Sequence, residues 1–126
     1  MNVPDDLLYT VEHEWIRRLD GSRFRLGVTD YAQDQLGDVV YVELPKPGKS
    51  VARGDLVAEI ESTKSVGEVY APFDGTIAAA NQSVADTPEL VNTSPYEEGW
   101  LVEIGADPDM GVEGLLDAAA YRELTE

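Results

Sequence analysis

Short stretches of alternating apolar and polar residues dominate the chain between Arg23 and Ile104. Many are rich in β-branched side chains, and Gly, Pro or Asp residues separate one stretch from the next. Short strands broken by such turns are typical of an all-β sandwich or barrel. The predicted strands are Phe24–Val28, Val39–Glu43, Leu56–Ile60, Glu68–Tyr70, Gly75–Ala79 and Trp100–Ile104.

A short helix is predicted between the first two of these strands. Thr29 or Asp30 can serve as its N-cap, because a side-chain oxygen there can accept a hydrogen bond from a free amide of the first turn. The helix runs through Leu36. Gly37 ends it, since glycine readily adopts the conformation that a helix C-cap requires.

A second helix is predicted at the C-terminus. Leu116, Ala120 and Leu124 recur every fourth residue of the sequence. Leu115 and Ala119 lie beside them, so this helix has one apolar stripe. An apolar stripe must be covered, and we therefore expect the helix to pack onto the sheet.

Composition narrows the possible functions. The chain fits one domain spanning residues 1–126, and 43% hydrophobic with 27% charged residues is typical of an ordered globular protein. Nine Lys and Arg stand against 25 Asp and Glu, which gives a formal net charge of −16. That charge repels phosphate backbones and anionic lipids, so neither nucleic acid nor a membrane surface is expected as a partner.

The chain contains no cysteine. It therefore has no disulfide framework, no thiolate nucleophile and no Cys-ligated zinc, and any sulfur chemistry must come from an attached group. Residues 1–6 have neither a basic region nor an apolar core, so no signal or transit peptide is expected. No apolar run approaches membrane-spanning length. We expect a cytoplasmic protein.

Residues 54–77 predict a β-hairpin. In the incoming strand, alternation puts Leu56, Ala58 and Ile60 on one face and the residues between them on the other. The outgoing strand begins at Val66. The residues between the strands are small and polar, which favours a tight exposed turn.

Lys64 lies in this turn and is the only cation of residues 54–77. A lysine at a hairpin tip is usually no more than a solvated charge. A modifying enzyme, however, can select one lysine of a chain by an exposed turn with fixed flanks and a rigid sheet behind it. Lys46 and Lys49, the other two lysines, lie in a Pro and Gly turn without strand alternation.

The hairpin resembles the lipoylation hairpin of glycine cleavage H proteins. The likeness rests on Glu-Ser-Thr-Lys-Ser-Val at 61–66, Tyr-Ala-Pro at 70–72 and Gly75. At 65–68 the chain reads Ser-Val-Gly-Glu, where many relatives have Ala-Ala-Ser-Asp. Further segments resemble the family in the same order and cover nearly the whole chain: 12–15, 28–33, 36–40, 42–45, 92–96, 99–101 and 115–121.

This resemblance implies a mainly β, lipoyl-domain-like barrel-sandwich hybrid of two antiparallel sheets, with short helices and a C-terminal helix. It implies that lipoate is attached covalently to Lys64. Glu61 and Gly75 match the positions that lipoylating enzymes recognise, and a positive φ is expected at Gly75. Glu14 and Glu68 match positions that would form an acidic cleft for the loaded arm.

The resemblance also implies a non-catalytic, monomeric carrier. Such a carrier takes the aminomethyl group of glycine from a pyridoxal-phosphate decarboxylase to a tetrahydrofolate-dependent aminomethyltransferase, and dihydrolipoamide dehydrogenase restores its disulfide. The implied partners are these three enzymes and a lipoate ligase or lipoyl transferase. No metal and no catalytic residue is implied.

Three alternatives remain open at the level of sequence. A biotin-carrier module uses a similar hairpin but flanks its lysine with methionines, where Thr63 and Ser65 stand here. An H-like protein could relay lipoyl groups to 2-oxoacid dehydrogenases without serving glycine cleavage. An enzyme could use Glu12, His13 and Glu14, but on a strand the two carboxylates share one face and His13, the only histidine, points away.

Overall fold

The computed structural model describes residues 2–106 and 114–125. Two antiparallel sheets form this part of the chain. Their strands are β1 (Leu8–Tyr9), β2 (Glu14–Arg18), β3 (Arg23–Val28), β4 (Val39–Glu43), β5 (Ser50–Val51), β6 (Leu56–Ser62), β7 (Val66–Tyr70), β8 (Gly75–Ala80) and β9 (Val102–Gly105). One sheet has the order β1-β2-β3-β9-β8-β5, and the other has the order β4-β6-β7.

Helices connect and flank the sheets. The described residues contain α1 (Asp30–Leu36), α2 (Gln82–Asp86), α3 (Leu90–Thr93) and α4 (Ala118–Thr125). None of these helices is long and apolar enough to cross a membrane. The sequence pattern did not predict α2 and α3, because five and four residues are too few to display a helical period.

The prediction of a mainly β protein with two antiparallel sheets is confirmed, and all six predicted strands are present within two residues at each end. Three strands were missed. β1 and β5 have two residues each, too short to show alternation. β2 runs Glu-Trp-Ile-Arg-Arg, and its charged residues obscure the apolar pattern.

Helix α1 begins and ends as its sequence predicts. The Thr29 hydroxyl accepts a hydrogen bond from the Ala32 amide at 3.2 Å, which makes Thr29 the N-cap. Gly37 has a φ of 80°, and its amide donates to the Gln33 carbonyl. Both signals are local, so they could be recognised without knowledge of the tertiary structure.

The C-terminal helix is present, but the prediction of its apolar stripe is wrong. Helix α4 buries Ala118 and Tyr121, whereas Leu124 is 48% exposed. Leu116 precedes the helix and exchanges backbone hydrogen bonds with Tyr9. The Tyr121 ring stacks on the Tyr9 ring at 4.6 Å between centroids, and this aromatic contact decides which face of the helix is buried.

The prediction that Leu56 lies on the same face as Ala58 and Ile60 is also wrong. A register shift between Leu56 and Ala58 marks a bulge in the pairing of β6 with β7. Leu56 is 39% exposed, while Val57 and Ala58 are both buried. An extra residue in one strand reverses the alternation on one side of the bulge, and sequence periodicity does not show where it lies.

Apolar side chains fill the space between the two sheets, and a second cluster lies on the other side of the larger sheet. The second cluster consists of Val3, Leu7, Tyr9, Trp15, Tyr96, Ala118 and Tyr121. Trp15 lies flat on its cross-strand neighbour Gly27, where an added Cβ would come within 2.6 Å of the indole. Glycine at 27 thus permits the close approach that buries this ring.

Glycine is required at position 75 because a side chain would not fit there, and the expectation of a positive φ is wrong. Gly75 is the first residue of β8, pairs with Val51, and is not among the glycines of positive φ. A Cβ there would lie 2.5 Å from the Gly105 carbonyl oxygen and 2.6 Å from Cγ2 of Ile104. The neighbouring strand, rather than a turn, therefore imposes glycine.

We expect Gly75→Ala to destabilise the fold by roughly 1–3 kcal/mol, because the methyl group must displace the backbone of β9. Chemical denaturation would measure the free energy of unfolding. The matched control is Gly21→Ala, since a Cβ at Gly21 meets nothing within 4 Å. Equal stability of the two variants would contradict the packing role given to Gly75.

Candidate functional site

The turn that carries Lys64 is closed by one serine. The Ser62 hydroxyl accepts hydrogen bonds from the amides of Lys64 at 3.3 Å and Ser65 at 3.0 Å. The Ser62 amide donates to the Ser65 carbonyl at 2.9 Å, and the Thr63 amide donates to the Asp38 carbonyl at 3.0 Å. The turn is therefore rigid and is fixed to the segment that follows α1.

Lys64 is exposed at the tip of the hairpin. Its side chain passes beside the helix C-cap, since a Cβ added at Gly37 would lie 3.3 Å from Cε of Lys64. Among the ion pairs between described residues, none involves Lys64. The amine is thus accessible and can act as a nucleophile toward an activated acyl group. The methylene chain of Lys64 lies beside the C-terminal end of α1.

Gly67 brings the hairpin and α1 close together. A Cβ at this position of β7 would come within 3.0 Å of Cδ2 of Leu36. A larger residue would force the Leu36 side chain to shift. Leu36 directly precedes Gly37, so the same helix end contacts both Lys64 and the inner side of β7.

A cleft of about 180 Å³ opens between α1, the hairpin and the start of β2. Its floor and walls are largely apolar, and its polar lining contains three carboxylates and one histidine. The lining residues are Glu12, His13, Glu14, Val28, Tyr31, Ala32, Gln35, Leu36, Ile60, Gly67, Glu68 and Val69. Of the residues that the structure describes, no Lys or Arg lines the cleft, so its field favours a cation.

Glu14 is the buried carboxylate of the cleft and is only 2% exposed. Its Oε2 accepts a hydrogen bond from the Tyr70 amide at 2.6 Å, and its Oε1 accepts one from the Thr10 hydroxyl at 3.2 Å. Burial raises the pKa of Glu14 to about 7, although these two hydrogen bonds oppose the rise. A carboxyl held in this way changes charge near neutral pH.

His13 lies in a turn, so the expectation that Glu12 and His13 belong to a strand is wrong. Its φ of 69° is positive, and β2 begins only at Glu14. The ring packs against Tyr31 at 4.6 Å between centroids, tilted by 35°, and its Nδ1 lies 2.8 Å from the Tyr121 hydroxyl. Burial lowers the pKa of His13, which favours a neutral ring at the cleft wall.

Tyr121 and Thr29 are part of this arrangement, and sequence reasoning missed both. The Tyr121 hydroxyl lies 2.7 Å from the Thr29 hydroxyl as well as within reach of His13. Nothing in the local sequence links residues so far apart in the chain. The only local hint that Tyr121 is buried is its place directly after Ala120 in the predicted C-terminal helix.

The structure brings some of the predicted site residues together and separates others. Glu14 and Glu68 line the same cleft, and Lys64 lies beside its helical wall. Glu61 is exposed next to the turn, opposite Val66. Gly75 belongs to the other sheet and lines none of this cleft. Among the described residues, no group of three or more His, Asp or Glu could hold a metal ion.

Two antiparallel sheets with a lysine at the tip of a hairpin define a class, the lipoyl-domain-like carriers with the barrel-sandwich fold. A solved structure of a glycine cleavage system H protein from Mycobacterium marinum matches with a TM-score of 0.89 and 36% sequence identity. The match covers 98% of each chain. At this identity the likeness extends beyond the fold.

The family model described as Glycine cleavage H-protein matches residues 7–126. A glycine cleavage system H protein from Anaeromyxobacter sp. (strain K) is 49% identical over 126 residues, covering 100% of this chain and 98% of the relative. One from Nocardia farcinica is 50% identical over 124 residues, covering 95% and 94%. The chain belongs to the glycine cleavage H-protein family, the lipoyl carriers of the glycine cleavage system.

The raised pKa of Glu14 predicts a stability that falls as pH rises. Below its ordinary value of 4.5 the carboxyl is protonated in both states, whereas between 4.5 and about 7 only the unfolded chain releases the proton. The folded state then binds more protons, so its free energy of unfolding decreases with pH. The loss at pH 8 amounts to roughly 3 kcal/mol at most.

Glu14→Gln should remove this pH dependence, because the amide does not titrate and its oxygen can still accept from the Tyr70 amide. Urea denaturation of both proteins between about pH 4 and pH 8 would measure the difference. Wild type should lose stability relative to the variant across that interval. Parallel curves for the two proteins would show that Glu14 does not titrate near neutrality.

Proposed function

We propose that this chain carries lipoate in amide linkage to Lys64 and moves the aminomethyl group of glycine between enzymes. The observation that supports this best is the geometry of Lys64: its amine is exposed on a turn fixed by hydrogen bonds, and its side chain lies beside Gly37, one residue from the apolar, acidic cleft. The donor would be the pyridoxal-phosphate decarboxylase, and the acceptor would be the tetrahydrofolate-dependent aminomethyltransferase. The chain itself supplies no catalytic group.

The residues at the cleft fit a lipoyl group. Leu36 offers hydrocarbon surface to an aliphatic arm above the buried side chains of Ile60 and Val69, and the cleft begins one residue from Gly37, where the Lys64 side chain lies. When bound, the lipoyl group supplies a disulfide that accepts cargo and electrons and is restored by thiol–disulfide exchange. The chain has no cysteine of its own that could trap such a disulfide.

The acidic lining gives the cleft a second task. The aminomethyl cargo carries an amine that is cationic at neutral pH, and water would hydrolyse it. Glu14 and Glu68 would hold this amine by charge-assisted hydrogen bonds, each worth roughly 1.5–3 kcal/mol. Glu14 is already desolvated and held by Tyr70 and Thr10, so it would need little reorganisation to receive a cation.

Attachment requires recognition of the hairpin by a lipoate ligase or lipoyl transferase. Glu61 is exposed three residues before Lys64 and would serve as a recognition charge. Gly75 would act indirectly, because it allows β8 to pack against β9 and so preserves the body behind the hairpin. Dihydrolipoamide dehydrogenase would then act on the reduced arm.

Lys64→Arg is expected to abolish lipoylation, since guanidinium does not form the amide. Intact mass with peptide mapping, after incubation with a lipoate ligase, lipoate and ATP, should show a lipoyl-sized increment only on the Lys64 peptide of wild type. Lys46→Arg is the matched control and should be modified normally, while Glu61→Ala should be modified more slowly. Glycine-dependent release of carbon dioxide with the purified partner enzymes should follow the same order.

A lipoyl increment without glycine turnover would favour the relay of lipoyl groups to 2-oxoacid dehydrogenases. A biotin increment from a biotin ligase would favour the biotin-carrier alternative. Glycine turnover by Lys64→Arg would refute the carrier function itself.

Loss of either cleft carboxylate should shorten the lifetime of the loaded carrier. Release of ammonia and formaldehyde from Glu14→Gln should be about tenfold faster than from wild type, and Glu68→Gln should show a smaller increase. Because Glu14 must ionise to bind the amine, the protection in wild type should strengthen as pH rises, and the bound cation should place this gain below the pKa of about 7 that Glu14 has without cargo. Glu14→Gln should show no such gain.

Glu123→Gln is the control for this experiment, since Glu123 is exposed on α4 and lines none of the cleft. Its loaded form should be as long-lived as that of wild type. Equal release rates from wild type, Glu14→Gln and Glu68→Gln would mean that the arm moves freely in solvent.

A further inference from the structure

The three-stranded sheet has an outer face that no described element covers. Strand pairing aligns its side chains in two rows, because residues directly opposite one another point to the same side. The row nearest the Lys64 turn runs Tyr41, Glu61, Val66, and the next row runs Glu43, Glu59, Glu68. We call these six residues the outer face.

The residue composition of both rows is unusual for a surface that is exposed only to solvent. Tyr41 is 49% exposed and Val66 is 54% exposed, and they flank Glu61 on either side. Like charges directly opposite one another in a sheet are destabilising, by roughly 0.2–1 kcal/mol for each pair. The second row nevertheless places three glutamates side by side.

No ion pair between described residues offsets the repulsion in the second row; Lys49 lines a surface pocket together with Glu43 and Glu59, and the Tyr70 hydroxyl donates a hydrogen bond to Glu68. The ion pairs between described residues involve Asp5, Asp6, Glu97 and Glu103 as acids. None of these pairs involves a glutamate of the outer face. A cation at any one of Glu43, Glu59 or Glu68 would have relieved it. The outer face therefore combines exposed apolar contacts with a negative field that a basic partner surface would neutralise.

The outer face and the cleft lie on opposite sides of the same hairpin. Gly67 and Val69 point inward and line the cleft, whereas Val66 and Glu68 alternate with them along β7. Glu68, on the edge strand β7, belongs to both surfaces, because it also lines the cleft. A partner can thus bind the outer face whether or not the cleft is filled.

We propose that the outer face binds the enzyme that attaches lipoate to Lys64, through Lys and Arg residues of that enzyme opposite Glu43 and Glu59 and an apolar patch over Tyr41 and Val66. The proposal rests on the function proposed above. Attachment takes place at Nζ of Lys64, so this enzyme must contact the protein beside the turn.

Charge reversal of the second row tests this assignment. The double variant Glu43→Lys with Glu59→Lys should lower kcat/KM for lipoylation about tenfold or more, through KM, with kcat unchanged. The assay would use a lipoate ligase with ATP and lipoate, with apo-protein as the varied substrate. Added salt should reduce the wild-type rate and narrow the difference between the two proteins.

The control is Glu123→Lys, which makes the same charge change as either single substitution, Glu43→Lys or Glu59→Lys, but on α4, away from the outer face. It should lower kcat/KM by less than a factor of two. Melting temperatures separate binding from folding, because Glu59→Lys alone removes a like-charge row and should melt no lower than wild type. The isosteric Glu59→Gln should also fold and should lose about threefold in kcat/KM.

Three outcomes overturn the assignment. Unchanged kcat/KM in the folded double variant would overturn the docking face alone, and equal losses in Glu123→Lys would attribute the effect to net charge. Loss of kcat/KM in Glu59→Lys but none in Glu59→Gln, together with a lower melting temperature, would attribute it to misfolding. Absence of any lipoyl increment on wild-type Lys64 would instead remove the proposed function on which the docking face depends.

Discussion

The hydrogen bond from the Tyr70 amide to the Glu14 carboxylate is the contact on which the cleft depends. It joins β2 of the larger sheet to β7, an edge strand of the smaller sheet, at the point where no strand pairing connects them. The edge amide gains an acceptor, while the carboxylate is taken out of water. The raised pKa of Glu14 is the consequence, and a bound cation would reverse it.

Besides the hydrogen bond between Tyr70 and Glu14, the C-terminal helix α4 helps to fix the opposite wall of the cleft, which α1 forms. Tyr121 bonds both His13, beside Glu14, and Thr29, the N-cap of α1. Because α1 presents Leu36 to the hairpin at Gly67, the position of the helix start also sets the width of the cleft. Residues from both ends of the chain therefore fix the geometry beside Lys64.

Features with local causes could be predicted from the sequence, and features with distant causes could not. The caps Thr29 and Gly37 and the turn at Lys64 each depend on a few neighbouring residues. The burial of Tyr121 and the packing requirement at Gly75 depend on contacts with Tyr9 and with β9. The resemblance to H proteins supplied Glu14 and Glu68, but only the structure shows that both line one cleft.

Register links the two faces of the hairpin. Side chains alternate along a strand, so a slip of one residue in β7 would turn Gly67 outward and bring Val66 against Leu36. The Ser62 hydroxyl and the Thr63 amide fix the register at the tip, and the bulge beside Leu56 absorbs the extra residue at the base. Any change at Ser62 must therefore act on the cleft and on the outer face together. Because the two faces share this one turn, a change in its register alters the sheltering of the arm and the docking of a partner together.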